Sequence, residues 1–78
     1  MNNIEKRIFD YLISKGYEIK NMNDNFIVVN NVTSIEFVSL IVDVEAEYNI
    51  CIPDEYLDYD SLNTAYKLSE VVKKQINH

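Results

Sequence analysis

The stretch from Ser34 to Tyr48 runs without a glycine or a proline, and Thr33 and Glu36 mark its start. Their spacing is that of a capping box, with Thr33 as N-cap and Glu36 as the third helical residue. The spacing therefore predicts a helix over Ser34 to Tyr48. Leu40, Ile41, Val44 and Tyr48 form one apolar stripe, the natural core face. Ile35, Val38 and Val42 form a second stripe, about 100–200° further round the axis. A helix that is apolar on two sides in so small a domain leaves one side for another task. The second stripe, bordered by Glu36, Asp43, Glu45 and Glu47, is a candidate docking surface, unless a later helix covers it. Ser34 falls at the first helical position, where free N–H groups and the helix dipole favour a phosphate. A capping box also opens ordinary helices. On a short acidic chain, a serine held there suggests a covalent phosphodiester site.

The other segments are organised around this helix. Ile4, Ile8, Tyr11 and Leu12 recur at helical spacing from Asn3 to about Lys15, with Asn2 or Asn3 as cap and Gly16 where a helix end wants glycine. Tyr17 to Val32 is a long, asparagine-rich connection. Within it, Phe26-Ile27-Val28-Val29 reads as an apolar plug or a short helical turn. Ile50 to Pro53 is extended. Asp54 to Tyr59 is expected to form a short third helix. Ser61, Asn63 or Thr64 then caps a last helix whose inward face is Ala65, Leu68, Val71, Val72 and Ile76. The expected fold is all-α: a single domain over residues 1–78, a four-helix bundle with a long first loop and a short third helix.

At 78 residues the chain can bury one small core. No apolar run reaches membrane-spanning length and no leader-like segment opens it, so a cytoplasmic protein is expected. All seven basic residues lie outside the interval Asn21 to Tyr66, which holds nine carboxylates. That interval therefore carries a formal charge of −9, against +3 for its flanks, and the whole chain −6. So acidic a middle repels nucleic acid and anionic membrane and attracts partners with basic patches. The same run also serves as a solvated face.

Catalytic constellations are thin. His78 is the single histidine and reads as a chain end. Cys51, the one cysteine, sits between Ile50 and Ile52 and is expected to be a buried thiol without a disulfide. Nothing has the spacing of a zinc site. Asp54, Glu55, Asp58 and Asp60 lack the spacing and central glycine of a calcium loop. An enzyme is not expected.

From Ser34 to Glu55 the residues Ser-Ile-Glu-Phe-Val-x-Leu-Ile-Val-x-Val-Glu-x-Glu-Tyr-x-Ile-x-Ile-Pro-Asp-Glu resemble the acyl and peptidyl carrier protein family without a gap. Glu45-x-Glu47-Tyr48 and Ile52-Pro53-Asp54-Glu55 are the most specific parts. The family's attachment motif is Asp-Ser-Leu or Asp-Ser-Ile, where this chain has Thr33-Ser34-Ile35. Thr33 keeps the cap and drops a charge. Asn31 stands where the family often has glycine, and asparagine tolerates a left-handed backbone. Asp60-Ser61-Leu62 spells the motif literally, but too few residues follow it for the remaining helices. Ser39 lies mid-helix.

The resemblance implies a bundle of acyl-carrier type and a 4′-phosphopantetheine arm, taken from coenzyme A, on Ser34. It implies a monomeric, stand-alone carrier of acyl or aminoacyl thioesters for polyketide, nonribosomal peptide or fatty acid synthesis. Its partners would be a phosphopantetheinyl transferase and the loading and condensing enzymes, met through Ile35, Glu36, Val38, Val42, Asp43, Glu45 and Glu47. The alternative is an unmodified, carrier-like interaction module that docks through the same helix.

Overall fold

In the computed structural model, which describes residues 3–77, every regular element is helical. Helix α1 spans Asn3–Ser14, α2 Phe26–Val29, α3 Ser34–Tyr48, α4 Tyr59–Leu62 and α5 Ala65–Ile76, with a single 3-10 turn at Asp54–Tyr56. Asn2 and His78 lie outside the described residues.

Local chemistry sets the ends. The α1 terminus closes by Gly16 N–H donating to the Ile13 carbonyl at 2.9 Å and Tyr17 N–H to that of Leu12 at 3.1 Å. This double bond pattern needs a left-handed residue, and Gly16 has φ of +93°. At the end of α3 Asn49 takes the left-handed role, with φ of 54°. Asn31, at φ 52°, does the same just before α3.

The apolar plug is helix α2. Asn25 caps it, its side chain accepting Val28 N–H at 3.1 Å. The Asn30 amide donates to the carbonyls of Phe26 and Glu18, at 2.9 and 3.0 Å, and so pins α2 to the preceding loop. Only half the plug is a plug: Phe26 and Ile27 are buried, while Val28 and Val29 face outward.

The expected third helix over Asp54 to Tyr59 is a correction: the segment is two pieces. The chain straightens at Asp58, whose carboxylate accepts both the N–H and the hydroxyl of Ser61, at 2.8 and 3.1 Å. Asp58 thereby starts α4 instead of continuing the turn before it. Thr64 is the cap of α5, accepting Lys67 N–H at 3.0 Å. Lys73 and Lys74 occupy its last turn.

Ile8 and Leu12 of α1, Leu40, Ile41 and Val44 of α3, and Ala65, Leu68, Val71 and Val72 of α5 meet in one core with Phe26, Ile27, Val32, Ile52 and Leu62. Phe37 joins the α3 stripe as a buried residue that the sequence reading left out. Two core expectations are corrected. Ile76, in the last turn of α5, is 42% exposed. Cys51 is exposed, because the extended segment alternates sides and turns its neighbour Ile52 inward.

Candidate functional site

Thr33 has an extended backbone, and both halves of its capping box are present. Its hydroxyl oxygen accepts Glu36 N–H at 3.2 Å, and the Glu36 carboxylate accepts Thr33 N–H at 3.2 Å. With Phe37 N–H bonded to the Thr33 carbonyl at 2.9 Å, the N–H groups of Ser34 and Ile35 remain at the open helix end. Ser34 is exposed there as the first helical residue.

Its hydroxyl has a partner that the sequence reading did not include. The Oγ of Ser34 lies 3.3 Å from the Tyr59 hydroxyl, and either oxygen can donate. The Tyr59 ring meets Phe37 edge-on, with centroids 5.0 Å apart and an interplanar angle of 87°. The Asp58 cap fixes where the backbone of Tyr59 begins α4. Among the described residues, Ser34 thus has no carboxylate or imidazole as a hydrogen-bond partner. An activated serine nucleophile needs an adjacent base, and the described side-chain partner of Ser34 is the Tyr59 phenol.

A groove of about 320 Å³ opens beside Ser34, lined by Phe37, Val38, Leu57, Asp58 and Tyr59. A second hollow of about 150 Å³ shares Phe37, Val38 and Leu57 with it and continues to Ile41, Val42 and Glu45. Together they form a furrow along α3. Leu57, Asp58 and Tyr59 wall the furrow without covering the second stripe, so Ile35, Val38 and Val42 are 80%, 60% and 54% exposed.

The acidic border of that stripe is arranged differently from the expectation. Helical geometry puts Glu36, Asp43 and Glu47 roughly 130° round the axis from the stripe, on the α1 side. Asp43 sits 3.6 Å from the Lys15 ammonium and accepts the Tyr11 hydroxyl at 3.2 Å. Burial, with the Asp43 charge and hydrogen bond added, pushes the Tyr11 phenol up to about 12. Glu47 pairs with Arg7 at 3.3 Å. Glu45 borders the stripe, but its carboxylate accepts Ile52 N–H at 2.7 Å and holds the extended segment to α3. The carboxylates of Asp54, Glu55, Asp58 and Asp60, of which Asp58 lines the furrow, form no salt bridge among the described residues.

The other candidate serines are placed elsewhere. Ser61 is half-buried and spends its hydroxyl on Asp58. Ser39 is exposed in the middle of α3. No group of three or more His, Cys, Asp and Glu among the described residues could hold a metal ion. No described helix is long and apolar enough to cross a membrane. No protein-family model, no curated protein and no solved structure matches this chain.

Proposed function

We propose that this chain is an acyl or peptidyl carrier domain, modified on Ser34 with 4′-phosphopantetheine. The observation that carries the reading is the exposed Ser34 hydroxyl at the start of a capped fifteen-residue helix, at the mouth of an apolar furrow. The all-helical fold, with the long helices α1, α3 and α5 and the short Asp54–Leu62 segment, supports this reading.

The residues fit the group. The Ser34 oxygen would form the new P–O bond to coenzyme A, breaking the pyrophosphate and releasing adenosine 3′,5′-bisphosphate. The serine proton would pass to a base on the transferase, since none of the described residues places a base on the Ser34 hydroxyl. The N–H groups of Ser34 and Ile35, left open at the helix end, would be the backbone donors to the ester phosphate. Phe37, Val38 and Leu57 offer the start of the arm an apolar wall. When bound, the arm supplies the thiol that carries acyl or aminoacyl groups.

Docking is assigned to Ile35, Val38 and Val42, with steering by the carboxylates of residues 54–60 more than by Asp43 and Glu47, which Lys15 and Arg7 already offset. Brief, charge-steered encounters suit a carrier that visits several enzymes. Incubation with coenzyme A and a broad-specificity phosphopantetheinyl transferase, followed by intact-mass measurement, tests the reading. A gain of one phosphopantetheine is expected. An unchanged mass favours the unmodified interaction module, for which the exposed stripe would be the whole function.

A further inference from the structure

We infer that Tyr59 is a positioning residue for the phosphodiester on a modified Ser34, an inference that rests on the carrier reading. In the unmodified chain its hydroxyl and that of Ser34 share one hydrogen bond of 3.3 Å, in which either is the donor. Esterification removes the serine proton and leaves Tyr59 as the only possible donor of that pair. It also places a singly charged phosphate next to the phenol. A phenol O–H to a charged phosphate oxygen is a stronger bond than the hydroxyl pair it replaces.

The phenol is held in advance for this task. Its ring lies edge-on against buried Phe37, one helical turn from Ser34. Its backbone is fixed by the Asp58 cap, by fully buried Leu62 and by the Lys67 ammonium on the Asp60 carbonyl at 2.8 Å. Little side-chain freedom is therefore lost when the phosphate is engaged. The position needs such a donor. No Lys or Arg occurs between Asn21 and Tyr66, so no cation from this part of the chain meets the phosphate, and Asp58 lines the same groove. The Asp58 oxygens are turned to Ser61, and once Ser34 is esterified the Tyr59 hydroxyl is the side-chain donor left among the residues lining the groove. Because Tyr59 belongs to α4 and Ser34 to α3, this contact ties the arm's root to both walls of the furrow and directs its first bonds along Phe37 and Val38.

The test uses the full chain, wild type and Tyr59→Phe, each converted with coenzyme A and a transferase and checked by intact mass. The phenylalanine ring keeps the Phe37 contact, and circular dichroism verifies the fold. Phosphorus NMR of the two modified proteins is expected to give distinct resonances, with that of Tyr59→Phe narrower and moved toward the position seen for the arm on the urea-unfolded protein. Modified wild type is expected to show a through-space signal between the phosphorus and the Tyr59 ring protons. A tyrosine that only packed the fold would leave the phosphorus line in place. If both proteins gain the arm but their phosphorus lines coincide, the role of Tyr59 is overturned and the carrier reading stands. If Tyr59→Phe fails to fold, the through-space signal in wild type decides: its absence overturns the inference. If wild type gains no mass, both readings fall.

Discussion

Replacing Thr33 by alanine removes one half of the capping box and leaves the other. The lost bond is that from Glu36 N–H to the Thr33 hydroxyl at 3.2 Å, and Glu36 keeps its own bond to Thr33 N–H. Loss of a Ser or Thr cap costs between about 0.5 and 2 kcal/mol. Thr33 and Glu36 are both exposed, so water takes over the freed N–H and the middle of that range applies, about 1 kcal/mol. In a domain of this size such a loss lowers the melting temperature by roughly 4–8 °C. Urea unfolding followed by circular dichroism measures it, and the slope of the transition should not change, because the surface exposed on unfolding is the same. Thr33→Asp, which supplies another cap and an N-terminal negative charge, should recover the loss. Glu36→Ala made alone and together with Thr33→Ala should be less than additive, because the two bonds form one box. An alanine variant as stable as wild type, or an aspartate variant as weak as alanine, would refute the capping argument.

Glu45→Ala leaves the Ile52 N–H, held at 2.7 Å in a half-buried place, without its acceptor, so stability should fall by roughly 1–3 kcal/mol in urea melts. Tyr11 is held protonated in the fold, its pKa raised from 10.0 to about 12. A raised acid contributes stability that is complete below the unfolded pKa and is lost as pH rises through the folded one. Stability should therefore decline between pH 10 and about pH 12, and Tyr11→Phe should flatten that decline in pH-dependent melts. Cys51 is exposed, so a thiol reagent should label it stoichiometrically without denaturant; labelling only after unfolding would contradict its placement.

What could be read from the sequence was what neighbouring residues decide among themselves. Thr33 and Glu36 meet because they are three apart, and Gly16 ends α1 through bonds to its own last turn. The alternation of Ile50, Cys51 and Ile52 was equally local, yet burial was assigned to Cys51 because its neighbours are apolar. Helix α2 depends on Asn30 reaching back to Glu18, a pairing that no periodicity announces. The same holds for Tyr59, which lies 25 residues from Ser34 and enters the site only because Asp58 starts a new helix there. The acidic border could be counted in the sequence, but its ion pairs could not. Helical angles alone separate Glu36, Asp43 and Glu47 from the apolar stripe, and the pairing of Glu47 with Arg7 and of Asp43 with Lys15 required the placement of α1.

The carrier reading is tested most directly by locating the modification. Wild type, Ser34→Ala and Ser61→Ala are each incubated with coenzyme A and a transferase, and the products are mapped by peptide mass. Wild type and Ser61→Ala should each carry one phosphopantetheine on the peptide that contains Ser34, and Ser34→Ala should carry none. An arm on Ser61 or Ser39, or an arm that persists in Ser34→Ala, would contradict the account.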